Sequence, residues 1–379
     1  MMRFDMRSPE FGASTTELYA TALEMASFAG SRGALAAAVC EHHTMADGYL
    51  PSPLVLATAM VARASTMPIM TAALVLPLYD PIRLAEDMVV LDIISGGRVS
   101  YILAIGYRPE EFEHHGADFG RRGQLVEDQL ALLLRAKSGE PFEQEGRRIH
   151  VTPAPVTPGG PTVIWGGGSP AAAKRAARFG LDFIAQGGGP ELEEIYAAEA
   201  RALGREPGFC MIPSTDMAIT LFVADDLDVA WAELGPHLLH DVRSYAAINQ
   251  GNTHTAAIST ATSVEDLRTE DRTHRIVTVD EASRWSGPAH PYPSIPLSAV
   301  CRPRPPGVIC APSPTRSCTV CEPLAPGTSI SGFRSSREGR RSTRVTAPGA
   351  GRLVMTTGCG LERSRRDHAD LAMEPPAVS

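Results

Sequence analysis

From residue 1 to about 285 the chain alternates between two textures: short runs that are apolar on both faces, and longer stretches with apolar residues at helical spacing. A strand without a polar face has to be covered on both sides, so such runs belong to a parallel sheet layered by helices. Seven strands are predicted: 2–6, 34–40, 69–76, 98–106, 162–168, 182–186 and 217–224. Helices are expected at 16–30, at 52–65 with Ser52 as N-cap and Pro53 in the first helical position, and from Asp80 to a glycine stop at Gly96. Two more are expected, at 124–139 and in the Ala-rich stretch after Ser169. Eight such βα units close a (β/α)8 TIM-type barrel, and a proper eighth unit is missing here. An open doubly wound sheet is the alternative, but no glycine fingerprint follows the first strand.

At residue 286 the texture breaks. Residues 286–379 hold fourteen prolines, twelve arginines, five of the seven cysteines and no lysine, without helical or strand periodicity. The whole chain has two lysines against thirty-three arginines, a mark of GC-rich coding, and GC-rich DNA read out of frame yields this composition. The expectation is therefore a folded domain over 1–285 and an aberrant, disordered tail of frameshift type over 286–379. Cys301, Cys310, Cys318 and Cys321 contain one CxxC without a matching second pair, short of a zinc site. Cys40 and Cys210 read as small core residues.

A formal charge of −8 and a pI near 5.8 argue against nucleic acid or an anionic membrane as partner, since both need a basic face. No run approaches the roughly 18 apolar residues of a membrane span, and no signal-type segment opens the chain, which points to the cytoplasm and to small-molecule partners.

Two stretches carry chemistry. In "VIWGGGSPAAAKRAARFG", 163–180, a strand ends in Gly166, Gly167 and Gly168, Ser169 is the N-cap and an Ala-rich helix follows. Glycines admit a ligand close to the backbone, and the free N–H groups and positive dipole end of a helix favour an anion, so the turn reads as a phosphate cradle. An ordinary capped turn is the alternative. Lys174 and Arg175, more than a turn further in, read as surface charges. In "CEHHTMADGYLPSP", 40–53, His42 and His43 follow an apolar strand; an imidazole with an ordinary pKa near 6.5 exchanges protons at neutrality. A solvated loop is the alternative, and alternation along a strand argues against both rings pointing inward. His114 and His115 form a second pair, in a loop, and neither pair has a carboxylate at recognisable metal-ligand spacing, so no metal is expected.

These two stretches, with "TAALVLPLYDPIRLAEDMVVLDIISGGRV" (71–99) and "GYRPEEFEHHGADFGRRG" (106–123), occur in an order and spacing that closely resembles the bacterial luciferase-like flavin-dependent monooxygenases, over about residues 1–285. The chain also resembles the deazaflavin F420-dependent oxidoreductases of the same superfamily, and no single motif separates the two. The resemblance implies a catalytic role for His42, with His43 beside it. It implies a non-proline cis peptide at Ala72–Ala73 beneath the flavin ring, Gly106 and Tyr107 lining the pocket, and Arg122, or its neighbour Arg121, near the cofactor phosphate. Gly166, Gly167, Gly168 and Ser169 take the cofactor's phosphate. The implied activity is monooxygenation of a small organic substrate by O2 with reduced FMN, supplied by a separate flavin reductase. Hydride transfer with F420 is the alternative, and a non-catalytic flavin-binding barrel the third reading. Family members add an eighth unit after a segment like 274–282. Without it the edges of the first and seventh strands lack partners, which predicts poor solubility or a homodimer. Residues 244–271 read as an insertion or lid near the mouth, or as a flexible connector.

Overall fold

The computed structural model describes residues 1–64, 66–213, 220–249 and 259–285; the tail at 286–379, with its cysteines, lies outside them. The chain enters through β1 (Met2–Arg3), α1 (Thr15–Ser31), β2 (Ala37–Val39), α2 (Pro53–Arg63), β3 (Ile69–Val75), α3 (Pro81–Ser95) and β4 (Val99–Ala104). Next come α4 (Pro109–His115), α5 (Arg122–Ala136) and an antiparallel hairpin of β5 (Phe142–Gln144) with β6 (Arg147–Ile149). β7 (Thr162–Gly166), α6 (Pro170–Phe179), β8 (Asp182–Ile184), α7 (Glu191–Ala202) and β9 (Cys210–Met211) follow. The described chain ends with β10 (Thr220–Val223), α8 (Leu227–Ile248), α9 (Val264–Glu270), β11 (His274–Val277) and α10 (Val279–Trp285).

Seven strands pair in parallel in the order β1-β2-β3-β4-β7-β8-β9, so their C-terminal ends share one edge. Helices cross between them, as parallel pairing requires. The main core packs on one face of the sheet, where Val39, Leu74, Tyr101, Leu103, Trp165 and Phe183 are buried, while Ala38, Ile102 and Ile164 are buried at the alternate positions. Local chemistry sets the helix ends. Ser14 and Glu17 form a reciprocal capping box at α1, and the Asp80 carboxylate accepts the Ile82 and Arg83 N–H groups at α3. Gly96 closes α3 at φ 65°, and Gly180 closes α6 at φ 66°.

An incomplete barrel is what the described residues form: β1 and β9 are the sheet edges, and β10 and β11 pair in parallel as a separate ladder. The seventh predicted strand, β10, thus pairs with β11 on one side, and among the described residues its other edge has no ladder partner. Sequence reading also missed β9 and the β5–β6 hairpin. Two residues are too few to show a period, and the hairpin turns at Glu145 and Gly146, both at positive φ, on a charged exposed segment. The expected long loop before α5 contains α4, which carries His114 and His115, and a single 3-10 turn at Phe119–Arg121. Ser52 occupies the N-cap position of α2 without donating or accepting a capping bond. Residues 244–248 belong to α8 and 264–270 to α9, not to a lid, while 250–258 lie outside the described residues. No described helix is long and apolar enough to cross a membrane.

Candidate active site

Parallel pairing delivers four of the sequence-selected segments to one edge. His42 and His43 follow β2, Ala72 and Ala73 lie in β3, Gly106 and Tyr107 follow β4, and Gly166–Ser169 end β7. The Ala72–Ala73 peptide bond is cis, and the β3–β4 register shifts between Ala72 and Leu74.

Both histidines are buried, each 8% exposed, against the expectation that only one would turn inward. Strand alternation stops at Val39, and Thr44 at φ 59° bends the segment, so the period of two does not govern residues 42 and 43. Two buried carboxylates hold the pair. Glu41 lies 2.7 Å from His43 Nε2 and accepts the Val75 N–H at 2.8 Å and the Tyr79 hydroxyl at 2.9 Å. Burial, then the Glu41 charge, pushes the Tyr79 phenol far above its ordinary pKa. Glu111 accepts the His43 N–H and the Arg108 guanidinium, both at 3.0 Å, while Arg108 also donates to the His43 carbonyl at 2.7 Å. Burial alone would raise the Glu111 carboxyl, but His42, the His43 N–H and Arg108 overcome it and hold the group ionised. His42 Nδ1 is buried without a hydrogen-bond partner, 3.7 Å from Glu111. The His42 ring instead stacks on Tyr49, centroids 4.3 Å apart.

His115 sets its ring edge-to-face against His43 at 4.5 Å; burial, then the neighbouring His43 and His114, lowers its pKa. Among the described residues no cluster of three or more His, Cys, Asp or Glu is arranged to hold a metal ion.

The glycine turn is closely fitted. A Cβ on Gly167, at φ 146°, would meet the Ala172 methyl at 2.7 Å, and one on Gly166 would meet Ile102 at 2.8 Å. Ser169 caps α6 through the Ala172 N–H, and no acidic residue occupies the first turn of that helix. Gly168 abuts a second glycine run that sequence reading passed over: a Cβ there would lie 3.2 Å from the Gly187 carbonyl, just after β8. Two glycine-lined strand ends therefore lie side by side, next to a helix N-terminus, as an anion cradle requires.

The long helix α8 reaches this edge as well. Tyr245 accepts a bond from Gln186 and lies beside the Tyr107 hydroxyl, and Asn249 adjoins both. Tyr107 Oη and Asn249 Oδ1 are buried without aligned partners, which leaves polar capacity for a ligand. Burial, then Tyr245, raises the Tyr107 phenol far above its ordinary pKa. Arg122 Nη1 donates to the Phe119 carbonyl at 2.7 Å and its guanidinium lies 3.7 Å from that ring's centroid, with Nε buried and unpartnered. Arg121 ends the preceding 3-10 turn. Arg175 is a correction: it is 7% exposed, paired with Glu127 at 2.9 Å and 5.4 Å from the Trp165 ring, so it is an internal tie and not a surface charge.

Sequence reading missed Glu111, Arg108, Tyr49 and Tyr245 as members of the site. Glu111 and Arg108 lie inside a quoted motif, but nothing in their spacing announces a bond to residue 43.

Over 149 residues the chain is 30% identical to the alkanal monooxygenase alpha chain of Photorhabdus luminescens, an alignment covering 38% of this chain and 41% of that one. The chain thus spans about two fifths of the length of the curated relatives it matches. Among solved structures it resembles the oxygenating constituent of 3,6-diketocamphane monooxygenase from Pseudomonas putida in complex with FMN, with TM-score 0.52 and 18% identity over 70% of this chain and 81% of that one. An F420-dependent secondary alcohol dehydrogenase has TM-score 0.53 and 16% identity over 75% and 87%. The family model described as luciferase-like monooxygenase matches residues 2–288. The chain belongs to the luciferase-like monooxygenase family.

Proposed function

We propose that this chain is a monooxygenase that uses reduced FMN and O2 to oxidise a small organic substrate. The observation that carries the reading is the shared edge: paired glycine strand ends and the α6 N-terminus stand in one sheet with buried His42 and His43, with β3 and β4 between them. The residues fit a flavin nucleotide. A Cβ at Gly167 would run into Ala172, so the turn keeps bare main chain beside the α6 N-terminus, and Arg122 Nε, Tyr107 Oη and Asn249 Oδ1 are buried donors or acceptors without hydrogen-bond partners. Gly166–Ser169 and the α6 terminus would hold the phosphate, Ala72 and Ala73 would floor the ring, and Tyr107 and Asn249 would bond its polar rim. When bound, the reduced cofactor supplies the electrons that activate O2. His42 and His43 would hold or pass a proton at the reacting face, and the apolar strand ends would exclude water.

Hydride transfer with F420 is the second reading, favoured by the similarity to the alcohol dehydrogenase. We expect a reductase to deliver the reduced FMN and the protein to act in the cytoplasm. We assign the folded domain to residues 1–285. A second copy is the partner we expect: α2 packs on α3, and Val55, Val90, Ile93 and Ile94 of that pair are large apolar side chains left exposed.

Fluorescence titration with FMN, reduced FMN and F420, followed by oxygen-uptake assays with a substrate panel, tests the reading. Binding of reduced FMN with reductant-dependent oxygen uptake supports it. F420 binding without FMN binding overturns it for the second reading, and FMN binding without turnover makes the chain a binding protein.

A further inference from the structure

We propose that Tyr49 is the positioning residue of His42: its ring, backed by the Arg7 guanidinium, holds the imidazole in one plane at the reacting edge. The inference rests on the reading above that His42 serves a bound flavin.

The two neighbouring histidines are held by different means. His43 is tied through its ring nitrogen to Glu41 at 2.7 Å. His42 is held more loosely: its buried Nδ1 lies 3.7 Å from the Glu111 carboxylate, an ion-pair distance outside hydrogen-bond range. Its main-chain N–H is pinned to the Leu50 carbonyl at 2.9 Å, which places residue 42 beside Tyr49 but leaves the side chain free to rotate. The stack restricts that rotation. Tyr49 and His42 lie 4.3 Å apart at an interplanar angle of 21°, and Tyr49 is 3% exposed. Arg7 lies 4.4 Å from the Tyr49 ring centroid, and two groups at such distances cannot share one face of a ring. Arg7 is itself fixed, donating to Asp5 at 2.9 Å and to Asp241 of α8. A rigid sequence of contacts therefore runs from α8 through Arg7 and Tyr49 to the imidazole.

Such a support differs from a hydrogen bond in what it leaves open. A carboxylate partner would occupy one ring nitrogen and fix the tautomer. A stack fixes the plane through the ring face, so with Nδ1 buried toward Glu111 the other nitrogen, Nε2, keeps its capacity to exchange a proton with a ligand, which is the property a proton-handling group at the flavin needs.

The test uses the full chain. In 15N-histidine-labelled apoprotein, His42 signals are assigned by their loss in His42→Gln. The stack requires His42 ring protons shifted upfield by the Tyr49 ring current, retained in Tyr49→Phe and lost in Tyr49→Leu. The second readout separates binding from chemistry: FMN affinity by fluorescence, and the rate at which O2 reoxidises bound reduced FMN. Tyr49→Leu is expected to keep its FMN affinity and lose up to about a hundredfold in reoxidation rate, the scale of a misplaced reacting group, with Tyr49→Phe restoring the rate. Should Tyr49→Leu melt below the working temperature, Tyr49→Met gives the same comparison with a side chain nearer in volume. Unchanged His42 signals in the non-aromatic variant, or a Tyr49→Phe protein as slow as Tyr49→Leu, overturns the proposal. If wild-type protein binds no flavin, the functional reading falls, and the apoprotein spectra still decide whether Tyr49 orients His42.

Discussion

The Asp241 carboxylate of α8 pairs with the Arg7 guanidinium just after β1, 234 positions earlier in the chain. Arg3 reaches the same carboxylate at 3.3 Å, and His274 of β11 lies 2.8 Å from it. Elements from both ends of the described chain are thus joined by one buried acid. No ladder among the described residues links β11 to β1, so ion pairs supply a connection there that backbone hydrogen bonds do not.

Removing that charge should be costly. Burial would raise Asp241, but Arg7, then Arg3 and His274, hold it well below the ordinary carboxylate range, and Asp5 is depressed against burial mainly by Arg7. Asp241→Asn leaves the buried Arg7 and the half-buried Arg3 with too little counter-charge and is expected to cost about 3–5 kcal/mol, read by urea melts. Because both carboxylates are depressed in the fold, their stabilisation is complete above about pH 4, where unfolded aspartates ionise, and drains away as pH falls below it. Wild type should therefore lose stability steeply under acid, and Asp241→Asn should do so with a shallower slope.

At the glycine turn, affinity and stability should separate. Gly167→Ala places a methyl 2.7 Å from the Ala172 methyl at a strained φ, and FMN affinity should fall at least tenfold, about 1.4 kcal/mol. Gly180→Ala at the other end of α6 also strains a positive φ, but far from the cradle; its melting temperature should drop by the equivalent of about 1 kcal/mol with affinity retained. Titrations and melts on the two proteins distinguish a ligand cradle from a merely tight turn.

Glu41 accepts three donors, and Glu41→Gln turns one of its acceptor atoms into a donor facing them. The change should cost about 1–3 kcal/mol and speed amide exchange at Val75, whose N–H loses its charged partner. Hydrogen exchange followed by mass spectrometry would show protection lost at that peptide first.

The exposed face of α2 and α3 should be an interface between two copies. Ile94 is 50% and Val55 72% exposed. Ile94→Asp should convert a sedimenting dimer to monomer with little change in cofactor affinity; a wild-type monomer at micromolar concentration would remove the basis for this assignment.

The features readable from sequence were those whose causes are local. Asp80 and Gly96 bracket α3 because a carboxylate caps nearby N–H groups and glycine takes positive φ, and both facts are written within one helix. The apolar runs of β2, β3 and β4 announce parallel pairing for the same reason. Arg175 misled because its partner Glu127 lies 48 positions away and only packing brings them together. Asp241 and Arg7 are farther apart still, and β9 is too short to carry a pattern. At the site, the residue types with obvious chemistry, His42, His43 and the glycines, could be picked out. Their supports, Glu111, Arg108 and Tyr49, could not, since a carboxylate or phenol in a loop reads as solvated until the fold buries it.

The backbone contact between Gly168 and Gly187 binds the histories of two loops. A Cβ on Gly168 would press to 3.2 Å on the Gly187 carbonyl, so a side chain there can enter only if the neighbouring loop shifts with it. Variety must enter through the connections after β2 and β4, where side chains already differ in size and charge. Redesign of specificity should start with those two connections and leave the glycine wall untouched.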